Sequence, residues 1–370
     1  MEPATVGGSS LVTGGGRHWS SLPEELLVVV LQAMHVAEAV RCGAVCTSWN
    51  AADALPHCTA ALHCAATGAP LRVPFPRAPL SRRPLLGAGH GWLVTADEAS
   101  DRHLLNPVTG AQVAVPPITT IHHVMSGTDE QDDPAYLVYE DLPEFDYAQH
   151  QFYVDAEATV LDPLHRAYEY MFYRVVLSAS PSAGPACVVL LLHMPQGEVS
   201  FVRLGDDRWT WAAPGADTGL PSRYGYRDAL YSAADGLFYV VWYDASMCSL
   251  DLNGPSPVAC KILNSVLNST PPNKCLVQTP AGDILQVWRL RDYIDSPTPA
   301  DPYMELRTLD LQLYKVDLDK QRVQLIESLP DYALFLGFNG SMCLPVKDFP
   351  GLKPSYVYVA DDSGEYVNIY

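Results

Sequence analysis

The chain has 370 residues, 48% of them hydrophobic, and a formal net charge of −19 from 42 acidic and 23 basic residues. This length and apolar content predict two or three folded domains and exclude a chain that is disordered throughout. Because so acidic a surface repels phosphate backbones and anionic lipid headgroups, we expect no nucleic-acid partner and no membrane partner.

Residues 1–18 are small and rich in glycine, and we interpret them as a disordered leader. They lack the basic stretch and apolar core of a secretory signal peptide. The nine cysteines of the whole chain have no regular spacing, which argues against a disulfide framework. Both observations predict a reducing compartment, that is, the cytoplasm, the nucleus or both.

Residues 19–57 have the pattern of a small helical module. Ser21 and Glu24 fit a capping box at the start of a first helix. The apolar residues that follow the spacing of one helix face are Leu22, Leu26, Leu27, Val30, Leu31 and Met34. Two further short helices are predicted over about 37–42 and 45–54. Because three short helices make a poor core alone, the pattern by itself also fits a helical cap on the next domain.

The order and spacing of several residues in this module are distinctive. They are Leu22-Pro23, Glu25-Leu26-Leu27, Leu31, Arg41, Val45-Cys46 and Trp49. In these residues the module resembles an F-box, which docks a substrate receptor onto a ubiquitin-ligase scaffold. The resemblance implies that a Skp1-type adaptor is contacted by Leu22, Pro23, Leu26, Leu27 and Leu31. It implies a structural role inside the module for Val45, Cys46 and Trp49. Ala37–Val40 and Asn50 depart from the family pattern, which bears on adaptor affinity.

From about residue 85 onward, short apolar runs alternate with turn residues, which is a repeated hairpin signal. The predicted strand pairs include 186–193 with 199–204, 229–232 with 237–242, 274–278 with 284–289, and 309–317 with 322–327. The units begin roughly 40 to 55 residues apart, a period typical of the four-stranded blades of a β-propeller. A β-sandwich is the alternative, and the steady repetition favours the propeller.

Several segments of this region carry more specific motifs. They are Gly91-Trp92-Leu93, Leu104-Leu105-Asn106-Pro107, Leu204-Gly205-Asp206, Asp235-Gly236, Leu329 to Gly337, and Phe349 to Pro354. In these motifs the chain resembles a plant F-box-associated propeller family, the DUF295 (KIB-type) domain. The resemblance covers nearly all of residues 19–362 and implies a propeller that follows an F-box, so the two resemblances support each other.

The predicted fold class is therefore α+β and multidomain, with a small three-helix F-box before a mainly antiparallel, all-β propeller. The expected boundaries are the leader at 1–18, the F-box at 19–57, a linker at 58–84 and the propeller at 85–370. Within the propeller, residues 126–150 are acidic and unlike a strand unit. We predict a solvated loop there, with an acidic contact strip for a basic partner as the alternative.

The sequence contains no nucleophile elbow, phosphate-binding loop or dinucleotide fingerprint. His57-Cys58 and His63-Cys64 lack the paired Cys-x-x-Cys spacing of a structural zinc site. His122 and His123 lie near acidic residues, but on a strand their side chains point to opposite faces and cannot share one ion. We therefore predict no enzymatic activity, no cofactor and no metal.

The predicted function is that of a substrate-recognition subunit of an SCF-type E3 ubiquitin ligase. The F-box is expected to bind a Skp1-type adaptor and through it a cullin scaffold, while the propeller binds an unknown target protein. One alternative is a non-catalytic propeller scaffold or decoy with a weakened F-box. The other is a hydrolase or lectin-like propeller, for which the sequence offers no positive feature.

Overall fold

The computed structural model describes residues 59–63, 70–74, 85–106, 109–139, 158–161, 163–194, 197–213, 215, 218–220, 225–266, 273–294, 305–337, 340–349 and 351–359. The predicted leader and F-box lie outside these residues. The same holds for every side chain predicted to contact the adaptor or to form the F-box core, from Leu22 to Trp49. The three-helix module therefore stays a prediction.

The described strands follow one another along the chain as a series of hairpins. A first hairpin pairs β1 (Thr59–His63) with β2 (Pro70–Pro74), inside the segment predicted as a linker. Blade 1 contains β3 (Leu85–Gly89), β4 (Trp92–Ala96), β5 (Arg102–Leu105) and β6 (Gln112–Ala114). A three-stranded sheet follows, with β7 (Val124–Thr128), β8 (Pro134–Tyr139) and β9 (Ala158–Leu161). A 3₁₀ turn (Leu164–Arg166) and a short helix, α1 (Ala167–Met171), lead into blade 2.

Four more sheets complete the described chain. Blade 2 contains β10 (Phe172–Leu177), β11 (Val188–His193), β12 (Glu198–Arg203) and β13 (Thr210–Trp211). Blade 3 contains β14 (Tyr226–Ser232), β15 (Leu237–Trp242), β16 (Met247–Asp251) and β17 (Val258–Leu263). Blade 4 contains β18 (Asn273–Gln278), β19 (Ile284–Ile294), β20 (Glu305–Asp317) and β21 (Arg322–Ile326). The C-terminal sheet contains β22 (Tyr332–Gly337), β23 (Gly340–Pro345) and β24 (Val357–Val359), with β24 parallel to β22.

The first strands of successive blades lie against one another. β3 contacts β10, β10 contacts β14, β14 contacts β18, and β18 contacts β23 of the C-terminal sheet. Within each of the four blades the strands then follow outward in chain order, paired antiparallel. This radial arrangement is that of a β-propeller, so the predicted mainly antiparallel β-propeller is confirmed.

The core is divided among the spaces between neighbouring sheets. Alternate residues of a middle strand face opposite ways, since side chains on a strand have a period of two. On β11, Val189 and Leu191 join the core shared with blade 1, while Leu190 and Leu192 join the core shared with blade 3. A strand buried on both faces needs a continuous apolar run, and β11 has the sequence VVLLLH. The apolar run is thus a direct signature of a blade's middle strand.

The sheet of β7 to β9 contradicts part of the predicted loop at 126–150. β7 and β8 occupy 124–128 and 134–139, and the residues beyond 139 in that segment are outside the described part. The largely acidic segment 129–133 forms the turn of this hairpin, and residues 130–133 are exposed. Asp129 Oδ1 accepts hydrogen bonds from the backbone N–H groups of Gln131 (2.8 Å) and Asp133 (2.9 Å). In the described part of the chain, no helix is long and apolar enough to span a membrane.

Candidate functional site: a buried histidine and glutamate cluster

Three histidines and a glutamate meet where the chain between blades 1 and 2 packs against blade 2. His122 and His123 lie just before β7, after a 3₁₀ turn at Ile118–Thr120. His193 ends β11 and Glu198 begins β12, and these two residues are paired across the strand register. The cluster therefore lies at the turn that joins the second and third strands of blade 2.

The backbone around His122 and His123 is a tight turn and not a strand. Ile118 and Ile121 are buried in the core, and the N–H of Val124 donates to the carbonyl of Ile121 at 3.0 Å. The two histidine side chains consequently do not point to opposite faces. His122 Nε2 and His123 Nδ1 are 3.4 Å apart. The geometric reason for predicting that the pair cannot share an ion was wrong, because it assumed an extended backbone.

Glu198 completes a compact triangle with the two histidines. Its Oε2 atom lies 3.2 Å from His122 Nε2 and 3.5 Å from His123 Nδ1. The side chains are 14% exposed for His122 and 3% exposed for both His123 and Glu198. These three residues offer ligand atoms that all lie within 4.8 Å of one another.

The hydrogen bonds of the outer ring atoms fix two of the imidazole tautomers. His123 Nε2 is 2.8 Å from the carbonyl oxygen of Met194, and His193 Nδ1 is 2.9 Å from the same oxygen. A carbonyl only accepts, so both ring nitrogens must carry the proton. The free lone pair of neutral His123 is then on Nδ1, facing Glu198. The free lone pair of His193 is on Nε2, which accepts from Ser200 Oγ at 2.9 Å.

Aromatic packing holds the cluster from both sides. Trp211 stacks on His122 with ring centroids 4.2 Å apart and planes 17° from parallel. His193 stacks on His123 at 5.0 Å and 22°. Burial, followed by the neighbouring His122, lowers the pKa of His123 to about 3. Burial likewise lowers the pKa of His193 well below its ordinary value. Both rings are therefore neutral near pH 7.

A shallow cleft lies at the corresponding turn of blade 3. Its volume is about 160 Å³, and its walls are Trp242, Tyr243, Asp244, Ser246, Met247, Cys248, Lys261 and Ser265. Tyr243 is 48% exposed, yet its ring lies against Gly225, where an added Cβ would come within 2.5 Å of the ring. Lys274 Nζ donates to the Tyr243 carbonyl at 2.5 Å. Burial lowers the pKa of Lys274 to about 8.

Two family models match the chain. The KIB1-4 beta-propeller model matches residues 62–370, and the F-box-like model matches residues 19–53. The chain belongs to the KIB1-4 beta-propeller family. The predicted combination of an F-box with a KIB-type propeller is thus confirmed. The matched model carries the KIB1-4 name and not DUF295, and a plant origin stays a prediction. The propeller match begins inside the segment predicted as a linker, where β1 lies.

Solved structures resemble the chain only distantly, although 37 chains match. A structural genomics protein of unknown function from Bacteroides thetaiotaomicron is 12% identical over 74% of this chain and 62% of that one, with a TM-score of 0.29. A fungal alcohol oxidase of the AA5 family in complex with copper is 12% identical over 73% of this chain and 58% of that one, with a TM-score of 0.34. The allergen Mala s 1 of Malassezia sympodialis is 9% identical over 66% of this chain and 91% of that one, with a TM-score of 0.23.

The chain thus spans less than two thirds of the first two of these relatives. TM-scores this low support no inference about function. No curated protein matches the chain significantly.

Of the cluster, only His122 and His123 attracted notice from the sequence, as an adjacent pair. Glu198 and His193 were missed, because each lies far along the chain from that pair and looks like an ordinary strand end. The sequence does contain one signal for Glu198: it is a charged residue at the start of the strand that continues with Val199-Ser200-Phe201. The structure buries this glutamate.

Proposed function

We propose that the protein is the substrate-recognition subunit of an SCF-type E3 ubiquitin ligase. The observation that carries this proposal is the order of the two matched domains in one chain, an F-box-like segment at 19–53 followed by a propeller at 62–370. An F-box joins a receptor to a ligase, and a propeller is a rigid scaffold suited to holding a protein ligand. Ubiquitin transfer would take place on other subunits of the complex, in the cytoplasm or nucleus.

Adaptor binding is expected to rest on leucine burial by the F-box. Leu22, Leu26, Leu27 and Leu31 share one predicted helix face, with Pro23 at its start. Burying a leucine side chain contributes roughly 1.5–3 kcal/mol, so a few such contacts give a specific helix-in-groove interaction. The adaptor in turn connects the receptor to a cullin scaffold.

We propose that the target protein binds at the end of the propeller that carries the turns between the second and third strands of the blades. Tyr243 is an exposed aromatic at that end, and its contact with Gly225 fixes the ring before any partner arrives. An aromatic side chain that is already ordered loses little entropy on binding and offers a large apolar surface with a polar tip. These are the properties of a binding anchor.

The adaptor step is tested by pull-down of a purified Skp1-type adaptor with the full chain. Wild type is expected to bind, and the double substitution Leu26→Asp with Leu27→Asp is expected to abolish binding. The matched control is Leu290→Asp with Leu325→Asp, which makes the same change at leucines that are 46% and 55% exposed on blade 4. That control should bind like wild type. A folded wild type that does not bind the adaptor would contradict the ligase proposal and favour the scaffold or decoy.

The target step is tested by proximity labelling in cells with the proteasome inhibited. Proteins enriched by wild type should be lost with Tyr243→Ala and kept with Tyr356→Ala, an aromatic of similar exposure (52%) on the C-terminal segment. Equal labelling by both variants would show that the target binds elsewhere on the propeller.

A further inference from the structure

The triangle of His122, His123 and Glu198 has the composition of a transition-metal site. Two imidazole nitrogens with one carboxylate oxygen form a ligand set that Zn²⁺ takes in proteins. Imidazole disfavours Ca²⁺ and Mg²⁺, which prefer all-oxygen surroundings. From this set and the geometry below, we propose that His122 Nε2, His123 Nδ1 and Glu198 Oε2 bind one Zn²⁺ ion.

The distances between the ligand atoms fit this ion. Zn²⁺ bonds to nitrogen and oxygen are about 2.0–2.1 Å long, and in a tetrahedron they place neighbouring ligand atoms about 3.3–3.4 Å apart. The three edges of the triangle are 3.2, 3.4 and 3.5 Å. The triangle therefore has the size of one face of a zinc tetrahedron, and the ion reaches its place without a rearrangement of the backbone.

The orientation of the lone pairs points the same way. The proton of His123 is on Nε2, held by the Met194 carbonyl at 2.8 Å, so its Nδ1 lone pair faces the Glu198 carboxylate at 3.5 Å. If neutral His122 carries its proton on Nε2, that N–H can donate to only one acceptor at a time, either Glu198 Oε2 or His123 Nδ1. A cation at the centre attracts all three electron-rich atoms at once.

The surroundings of the triangle already hold its ligands in position. A backbone carbonyl on the second nitrogen of a ligating histidine is the usual outer contact in zinc sites, and Met194 supplies it for His123. Trp211 stacks on His122, and His193 stacks on His123. His122 is the most exposed of the three at 14%, so solvent comes closest to the triangle at His122. The ion would clamp the chain before β7 onto the strand turn of blade 2.

The experiment uses the full chain without a polyhistidine tag, treated with a chelator and then titrated with Zn²⁺ against a chromophoric zinc chelator. We expect wild type to bind one equivalent that His122→Phe lacks or binds at least about 10-fold more weakly. Phenylalanine keeps the stacking on Trp211 and removes the ligand nitrogen. The matched control is His103→Phe, which removes a histidine that pairs with Asp97 at 2.8 Å outside the cluster. That control should bind like wild type.

Glu198→Gln is the second variant, since it keeps the side-chain shape and removes the charge, and it should lose the same equivalent. Co²⁺ adds a spectroscopic readout: the strong visible absorption of tetrahedral Co²⁺ should appear in wild type and be absent from both variants. Equal zinc and cobalt binding by wild type and variants would place the metal elsewhere, on the cysteines for example, and overturn the proposal. So would a wild type whose melting temperature does not rise when zinc is added back after chelation, whether or not the variants fold.

Discussion

Arg174 on β10 and Asp228 on β14 form a buried ion pair in which Arg174 Nε lies 2.6 Å from Asp228 Oδ1. Asp228 also accepts from the backbone N–H of Ala229 and of Leu276, both at 2.7 Å, and Leu276 belongs to β18. One carboxylate therefore joins the first strands of blades 2, 3 and 4. Burial opposes the charge on Arg174, but Asp228 together with the neighbouring Cys275 and Tyr173 outweighs burial, and the pKa of Arg174 is raised.

Removal of this carboxylate is expected to destabilise the propeller more than removal of its partner. Asp228→Ala leaves three buried donors without their acceptor, whereas Arg174→Met takes one donor from a carboxylate that keeps two. We expect Asp228→Ala to cost about 3–5 kcal/mol of unfolding free energy, measured by urea denaturation. Lys320→Ala, which breaks an exposed pair with Asp317, is the control and should leave the urea midpoint nearly unchanged. If Asp228→Ala and Arg174→Met lowered the free energy of unfolding equally, Asp228 would not be a junction shared by three blades.

Arg102 is a second buried cation, but unlike Arg174 it has no carboxylate paired with its guanidinium in the part of the chain that the structure describes. Arg102 is 1% exposed and is stacked between Phe172, at 3.9 Å, and Trp209, at 4.5 Å. Within the described residues its guanidinium nitrogens have no hydrogen-bond partner. Because the charge is buried with little compensation beyond these rings, Arg102→Met should be neutral or stabilising. Arg102→Ala should instead cost about 2–5 kcal/mol, because it leaves a cavity in the core.

The stability of this region should also depend on pH through Arg102. Burial, opposed by Asp101, lowers the pKa of Arg102 from its ordinary value to about 9. Above pH 9 the unfolded chain holds more of this proton than the folded one, so the contribution of Arg102 to stability rises with pH. Below pH 9 Arg102 is charged in both the folded and the unfolded chain, so the full cost of burying its charge remains. The difference in stability between Arg102→Met and wild type should therefore shrink between pH 8 and about 10. A difference that is constant over this range would show that Arg102 stays charged when folded.

The blades were predictable from the sequence because their signals are local. The run Leu237–Trp242 after the Asp235-Gly236 turn predicts a strand, and the structure has β15 at those residues. The sheet of β7 to β9 gives no such signal: in β7 only Val124 is buried, and Gly127 is the fourth of its five residues. That strand is fixed by pairing with β8 and by the core beneath it, which sequence patterns do not show.

The cluster could not be found from the sequence for a related reason. His122 and Glu198 become neighbours only when the turn before β7 packs on blade 2, and that is tertiary structure. Interpreting His122 and His123 as strand residues also separated two rings that the turn brings together. The residues of the predicted adaptor contact, from Leu22 to Leu31, lie outside the described part of the chain and remain predictions.

Gly197 tests the contact between blades 2 and 3. It has a φ of +80°, and a Cβ there would lie 2.7 Å from the carbonyl oxygen of Tyr226, the first residue of β14. Gly236 has a similar φ of +70° and open space around it, so it serves as the matched control. Both alanine substitutions carry the strain of a left-handed backbone, but Gly197→Ala also pushes on backbone. We expect it to cost about 1–3 kcal/mol more than Gly236→Ala, measured by urea denaturation. Equal costs would mean that the blades separate easily at this point.

Two cysteines on neighbouring strands of blade 3 should differ sharply in reactivity. Cys248 on β16 is fully buried, and burial raises its pKa to about 11, whereas Cys260 on β17 is exposed. Because the thiolate is the reactive form, a thiol reagent at pH 8 should modify Cys260 quickly and Cys248 only after unfolding. Mass spectrometry of the labelled peptides, with and without urea, measures both rates in one sample. Cys260→Ser should remove the fast modification of β17 and leave Cys248 protected. Rapid native labelling of Cys248 would instead show that the packing between blades 2 and 3 opens, since its side chain is buried in the core that these two blades share.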